Sequence, residues 1–366
     1  MNGRLVCNKL TFVSSTLGGA ELIVCIAEDR PSFEPSVKLL LMSLMRHCPN
    51  LSIRLFFPPA KQEFVSWVKP HEQVQLDVEP LPTAYSHNVK PQALLHLMDK
   101  GHDDIIWIDS DIIVTGDISH LFHELDPDVL VITEEAMCRA RYDPDGLRAR
   151  LWGFKVARVH PFVLNTGVIR ATKSHRAFLS RWCELLESEQ YAKFQRLDWR
   201  SRPPHMIGDQ DALTALLASE EFANVRLKIL ERGKDIIQYF GSHGYTIPER
   251  LSNALIAGPT FIHSQGPKPW IHNWRHGAPR SVRGSWEMLY LDLSPYTLAA
   301  RKYRDDLGGD ASWMRSHSIL SSILRGLGLW YPPLVGLPFA AAADLFRLAG
   351  GFSSNKHTAT RSISNP

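Results

Sequence analysis

The sequence predicts an α/β fold, a sheet flanked by helices with a helical extension after it. Three observations carry that expectation: short apolar runs rich in β-branched residues, stretches of helical period between them, and acidic residues directly after two of the runs. Leu22-Ile-Val-Cys-Ile-Ala27 is the first run and ends in Glu28-Asp29, the pattern of a buried parallel strand. A helix follows, because Val37, Leu40, Leu41, Leu44 and Met45 recur at helical spacing, with Pro35 in the first turn and Cys48-Pro49 as the stop. Ile53 to Phe57 reads as a second strand. Ala93, Leu94, Leu97 and Met98 share a face of a helix over 91–100, closed by Gly101. It leads into the strand Ile105-Ile106-Trp107-Ile108, which ends in Asp109-Ser110-Asp111. Further strands are expected at 129–133 and 162–169. Further helices are expected at 175–190, where Phe178, Trp182, Leu185 and Leu186 align, and at about 209–219.

Composition narrows the function classes. A chain of 366 residues, 44% hydrophobic and 22% charged, can bury a sizeable core as one large domain or two. The net charge of +3 comes from 41 basic and 38 acidic residues spread along the chain, which gives no footprint for nucleic acid. Five cysteines (Cys7, Cys25, Cys48, Cys138, Cys183) form an odd set without a C-x-x-C pair, as core thiols in a reducing compartment do. The first twenty residues lack the continuous apolar segment of a secretory signal, and no run of about 18 apolar residues could span a bilayer. A cytoplasmic location is therefore expected, at most peripheral to the inner face of a membrane.

Two segments carry chemistry. Carboxylates at i and i+2 on a strand point to one face, so Asp109 and Asp111, just past a strand's carboxyl end, can converge on one hard cation. In an open α/β sheet that edge is also where ligands bind. The second segment, Ile262-His263-Ser264-Gln265-Gly266-Pro267-Lys268-Pro269-Trp270, offers an imidazole, a glycine that lets backbone approach a phosphate, and a cation within six positions.

Hydrophobic-Asp-x-Asp followed far downstream by His-x-x-Gly-x-x-Lys-Pro-Trp resembles the family 8 glycosyltransferases, whose GT-A fold is a mixed sheet flanked by helices. Asn165-Thr166-Gly167-Val168 and Asp209-Gln210-Asp211 resemble further segments of that family, in the same chain order, over roughly residues 20 to 275. The resemblance implies a retaining hexosyltransferase that takes a nucleotide-sugar, a UDP-sugar, and delivers the sugar to a glycan, glycolipid or protein. It implies Mn²⁺ or Mg²⁺ held by Asp109, Asp111 and His263, with Ser110 beside the metal. Gly266 and Lys268 would touch the diphosphate, and Ala27, Glu28 and Asp29 the nucleoside. Asn165, Asp209 and Gln210 would surround the transferred sugar, and Lys90 stands for a basic residue on the helix before the metal strand. The chain departs from the family where a tyrosine is usual, since Arg30-Pro31-Ser32-Phe33 stands there. Two rival readings of the acidic pair are a metal-dependent nucleotidyltransferase or phosphohydrolase, and a catalytically silent sugar-binding protein of the same fold.

The expected organisation is a transferase domain over 20–292, a helical extension over 293–352 and a disordered tail over 353–366. Loops 134–160 and 191–208, rich in Arg, Trp, Tyr and Pro, are the expected lids over the acceptor. In the extension, Arg301, Lys302, Arg304, Arg315 and Arg325 accompany Trp313, Ile319, Leu320, Ile323, Leu324, Leu327, Leu329, Trp330 and Tyr331, a composition suited either to packing as a small helical subdomain against the transferase core or to lying on an anionic membrane surface.

Overall fold

The computed structural model describes residues 21–81, 88–135, 143, 145–238, 245–255, 258–266, 268–271, 282–314 and 319–348. The expected tail over 353–366, Cys7, Cys138, Arg315 and most of 136–144 lie outside the described residues. The first half of the chain runs β1 (Leu22–Ala27), α1 (Glu34–His47), β2 (Ser52–Phe56), α2 (Gln62–Val68), β3 (Val74–Asp77), α3 (Val89–Asp99), β4 (Asp104–Ile108), β5 (Ile112–Val114) and β6 (Val129–Glu134). Then come α4 (Leu147–Leu151), β7 (Leu164–Thr172), α5 (Arg176–Glu187), α6 (Glu189–Gln195), α7 (Asp209–Ala218), β8 (Arg226–Leu230), β9 (Ile236–Gln238), α8 (Ile247–Leu255) and β10 (Phe261–His263). The remainder is helical: α9 (Val282–Asp292), α10 (Pro295–Ala300), α11 (Arg304–Leu307), α12 (Ile319–Leu327) and α13 (Leu337–Leu348).

The main sheet has the order β3-β2-β1-β4-β7-β6-β8, with β7 antiparallel to both β4 and β6 and the other neighbours parallel. It is the expected mixed sheet with helices on its faces. Because β2 and β3 extend to one side of β1 and β4 lies on the other, the strand order reverses between β1 and β4, and a crevice opens beyond their carboxyl ends. One face of the sheet packs against α1 and α2 through Val37, Leu40, Leu41, Leu44, Phe64 and Val68. The other packs against α3, α5 and α7 through Leu94, Leu97, Phe178, Trp182, Leu213 and Leu216. Trp107 and Trp182 are buried completely there, so truncating either to alanine should cost about 3–5 kcal/mol.

Two boundaries differ from expectation for local reasons. The strand expected at 162–169 runs Leu164–Thr172, because Ile169, Arg170, Ala171 and Thr172 continue the pairing with β4. The helix expected over 175–190 breaks at Ser188, whose extended backbone leaves its hydroxyl free to accept from Tyr191 N and cap α6. The described cysteines Cys25, Cys48 and Cys183 are free thiols.

A second sheet, β5-β10-β9, pairs the strand after Asp111 with the strand that ends in His263. Behind it Tyr296, Ala299, Ala300, Tyr303, Trp313 and Met314 share a core with Leu39, Ile113 and Ile262, so α10 and the turns after it are packed onto the body. Further along, α12 buries Ser321 and Arg325 and leaves Ile319, Leu320, Ile323 and Leu327 exposed. Exposed Leu329 and Trp330 follow it with left-handed backbone, φ 52 and 58, which is uncommon outside glycine. Among the described residues no helix is long and apolar enough to cross a membrane.

Candidate functional site

The crevice beyond β1 and β4 is a cleft of about 260 Å³. Its walls include Ala27, Glu28 and Asp29 from the end of β1, Lys90 from α3, Asp109, Ser110 and Asp111 from the end of β4, Asn165 and Thr166 from β7, Asp209 and Gln210 from α7, and His263 from β10. Eleven of these twelve, all but Thr166, are residues that the sequence marks as site candidates, and three separate backbone devices bring them together. Asp109 N donates to Gly167 O at 2.8 Å, which extends the β4–β7 ladder by one residue and fixes the first aspartate. Ser264 N donates to Asp111 O at 3.0 Å, which ties the second aspartate to the histidine segment. α7 begins at Asp209, where the helix N-terminus favours negative charge.

Ligand atoms of Asp109, Asp111 and His263 all lie within 4.8 Å of one another. His263 Nε2 is 3.2 Å from Asp111 Oδ1 and 3.9 Å from Asp109 Oδ2, and the histidine is buried. The ring fits there because residue 167 is glycine: a Cβ on it would stand 2.8 Å from His263 Cε1, 2.9 Å from Nδ1 and 2.9 Å from Asn165 Oδ1. Trp107 Nε1 donates to Asp109 Oδ1 at 2.7 Å and orients that carboxylate. Lys268 Nζ donates to Asp111 Oδ2 and to Ser264 O. Burial alone would raise the Asp111 pKa, but Lys268 and His263 outweigh it and hold the carboxyl below its ordinary range.

Lys90 is wholly inside the site. Its Nζ lies 3.1 Å from Asp109 Oδ1, 3.2 Å from Asp209 Oδ2 and 2.7 Å from Thr166 Oγ1. Desolvation pulls its pKa down, and the two carboxylates more than reverse that, so the ammonium is held above its ordinary range. Thr166 Oγ1 also donates to Asp209 Oδ2 at 2.9 Å. Lys90 thereby couples the Asp109 side of the cleft to the α7 side.

The structure adds a residue that the sequence reading passed over. Glu135, 1% exposed, accepts from Gln210 Nε2 at 2.6 Å, from Asn165 Nδ2 at 3.3 Å and from Gln265 Nε2 at 2.7 Å. Asn165 Nδ2 also donates to Gln210 Oε1 at 3.1 Å. The signal for Glu135 was available, since it stands just past the carboxyl end of β6 as Glu28 stands past β1 and Asp109 past β4. Asp211, by contrast, turns away to Arg148 Nε at 2.8 Å and to Gly208 N at 3.0 Å, locking the start of α7. Gly266 and Lys268 sit on the loop beside the cleft and do not form its walls. Of the expected lids, 191–208 folds as α6 and short turns pinned by Arg202 to Gln195 and Ile207, and α4 packs on α7. Phe33 is buried under Arg30 and offers no free face.

No protein-family model matches the sequence, and no curated protein matches it in sequence. Among solved structures, the chain is similar to galactosyltransferase LgtC in complex with donor and acceptor sugar analogs, at 13% identity and a TM-score of 0.45, over 72% of this chain and 99% of that one. It is similar to mouse xyloside xylosyltransferase 1 in its apo form, at 17% identity and a TM-score of 0.44, over 67% of this chain and 97% of that one. It is also similar to the bifunctional glycosyltransferase WbbM, at 14% identity and a TM-score of 0.45, over 78% of this chain, which spans about half (52%) of WbbM.

Proposed function

We propose that this chain is a metal-dependent, retaining glycosyltransferase that moves a hexosyl group from a nucleotide-sugar, a UDP-sugar, to a glycan, glycolipid or protein acceptor. The observation that carries the reading is the convergence of Asp109, Asp111 and His263 within 4.8 Å at the strand-order reversal, with Asn165, Asp209 and Gln210 lining the same cleft. Two carboxylates and one imidazole suit a divalent cation of the Mn²⁺ or Mg²⁺ kind, and the absent side chain at Gly167 leaves the ring the room it needs. Such a cation, when bound, stabilises the negative charge of a departing diphosphate.

The protein's own groups do the rest. Lys268 reaches the cluster from a loop and supplies a positive charge for the diphosphate, while Lys90, buried between Asp109 and Asp209, offsets the charge of the two carboxylates. Asp209 and Gln210 face the anomeric centre as it becomes cationic, and Glu135 holds the Gln210 and Asn165 amides in one orientation. A retaining reaction requires no separate strong base, because a departing phosphate oxygen can take the acceptor's proton on the same face.

In this reading 20–292 is the transferase body and 293–352 an extension resting on it. The exposed face of α12 then serves as a seat for an anionic, cytoplasmic membrane surface that presents a lipid-linked acceptor. The test of the core proposal is thermal unfolding with Mn²⁺ and a panel of nucleotide-sugars. A donor at about 100 times its dissociation constant adds about 2.7 kcal/mol, and a flat result across the panel would end the proposal. With the donor in hand, NMR of the first product should show the donor's anomeric configuration.

A further inference from the structure

We propose that the Arg30 guanidinium is the platform on which the donor's nucleobase stacks, an inference that rests on the nucleotide-sugar reading above. Its carbon lies 3.4 Å from the centroid of the Phe33 ring, so one flat face of the group is covered. Its Nε and Nη2 donate to the two oxygens of Glu28 at 2.7 and 2.8 Å, and Ser110 Oγ donates to the second of these oxygens at 2.5 Å. Ring, fork and hydroxyl together fix the plane of the group. The Arg30 side chain is nevertheless 51% exposed while that of Glu28 is 2% exposed, and Arg30 is a wall of the cleft. The face turned away from Phe33 is the one left to a ligand.

The surroundings select the ligand. Phe56, Pro58, Pro80 and Leu81 line the same cleft, so it offers apolar walls alongside the flat cationic plane. An anion anchor needs uncompensated charge and a free fork, whereas here Glu28 takes two of the fork's donors and cancels its charge. What remains attractive is the π-face of the guanidinium, which suits a flat heteroaromatic ring and not a phosphate. Phe33, 3% exposed, cannot receive the ring itself and acts through Arg30. Stacking of this kind tolerates any base.

The experiment is calorimetric binding of UDP with Mn²⁺ to the full chain and to Arg30→Ala and Arg30→Lys, with inorganic pyrophosphate as a competing probe of the phosphate subsite. Lysine keeps the charge and loses the plane. Both variants should bind UDP about tenfold more weakly or worse and pyrophosphate as the wild type does, the loss expected for one stacked base. Wild-type affinity for UDP in Arg30→Lys, or equal losses of UDP and pyrophosphate in Arg30→Ala, would overturn the platform. If the unaltered chain binds pyrophosphate but none of UDP, GDP, ADP or CDP, the nucleotide-sugar reading itself fails.

Discussion

The cleft and α12 both reverse the ordinary rule of burial, and they do so in opposite senses. In the cleft Lys90, Asp111, Glu135 and Asp209 are charged and buried; on α12 Ile323 and Leu327 are apolar and exposed while Arg325 is buried. The cleft settles its reversal internally. Every one of those buried charges has a partner within the chain: Lys90 with two carboxylates, Asp111 with Lys268 and His263, Glu135 with three amides. On α12 the exposed face has no such settlement among the described residues, and Arg325 lies over the ring of Trp330 at 5.1 Å. A compensated inversion marks where the protein does its own work, and an uncompensated one marks where it needs something else.

The largest expected effect tests the compensated side. Asp109→Ala, Asp111→Ala and His263→Ala should each lower transfer at least about 10²-fold in initial-rate assays with Mn²⁺, since each removes part of the leaving-group stabilisation. Full activity in all three would dissolve the contrast at its stronger end. Gly167→Ala should act on the same cluster without touching a ligand. Its Cβ would force the His263 ring and the Asn165 amide aside, so Mn²⁺ affinity in a titration should fall roughly tenfold, as it does when the support of a ligand is lost. Wild-type affinity in that variant would mean the ring relaxes freely.

The uncompensated side is tested by Ile323→Glu and Leu327→Glu. Both should abolish flotation of the full chain on anionic vesicles and leave donor hydrolysis unchanged, with stability altered by no more than about 0.5 kcal/mol because the positions are exposed. If the wild type does not float, α12 serves no membrane. The smallest effect concerns a buried polar group without compensation. Both His205 ring nitrogens lack a partner among the described residues, and burial, with Arg148's charge, pushes the ring down to about 4 from an ordinary 6.5. Between those values the unfolded chain takes up a proton that the folded chain refuses, so this contribution is full above pH 6.5 and declines as pH falls toward 4. Melting points of His205→Phe should show a shallower decline across that window than the wild type.

The elements legible in the sequence were those long enough to show a period. β1, α1, β4 and α7 stand where apolar runs and turn residues placed them, whereas β5, β9 and β10 are three residues each and too short for any periodicity to register. β10 nonetheless carries His263, which was found through the motif that follows it. Lys90 was legible as a type of residue but its placement depends on α3 starting at Val89, two residues before the start expected at Pro91. Glu135 carries the same signal as Glu28 and Asp109, an acidic residue just past a strand's end, but no second motif residue stands beside Glu134-Glu135 to single it out. The place of Arg30 over the Phe33 ring is a matter of tertiary packing, and nothing in Arg30-Pro31-Ser32-Phe33 announces it.

The ladder between β4 and β7 has a consequence for how this site can be lost. Trp107 pairs with Ile169 and Ile108 with Val168, and the next residue, Asp109, is bonded to Gly167. Side chains on a strand alternate, so inserting or deleting one residue in β4 would exchange the two faces, turning Trp107 out of one core layer and Ile108 out of the other at the same time as it displaced the aspartates. Insertions and deletions in β4 are therefore closed to a lineage that must keep a folded chain. Descendants that abandon the chemistry should do so by single substitutions at 109, 111 or 263 on an undisturbed frame, and would remain hard to tell from their active relatives by shape.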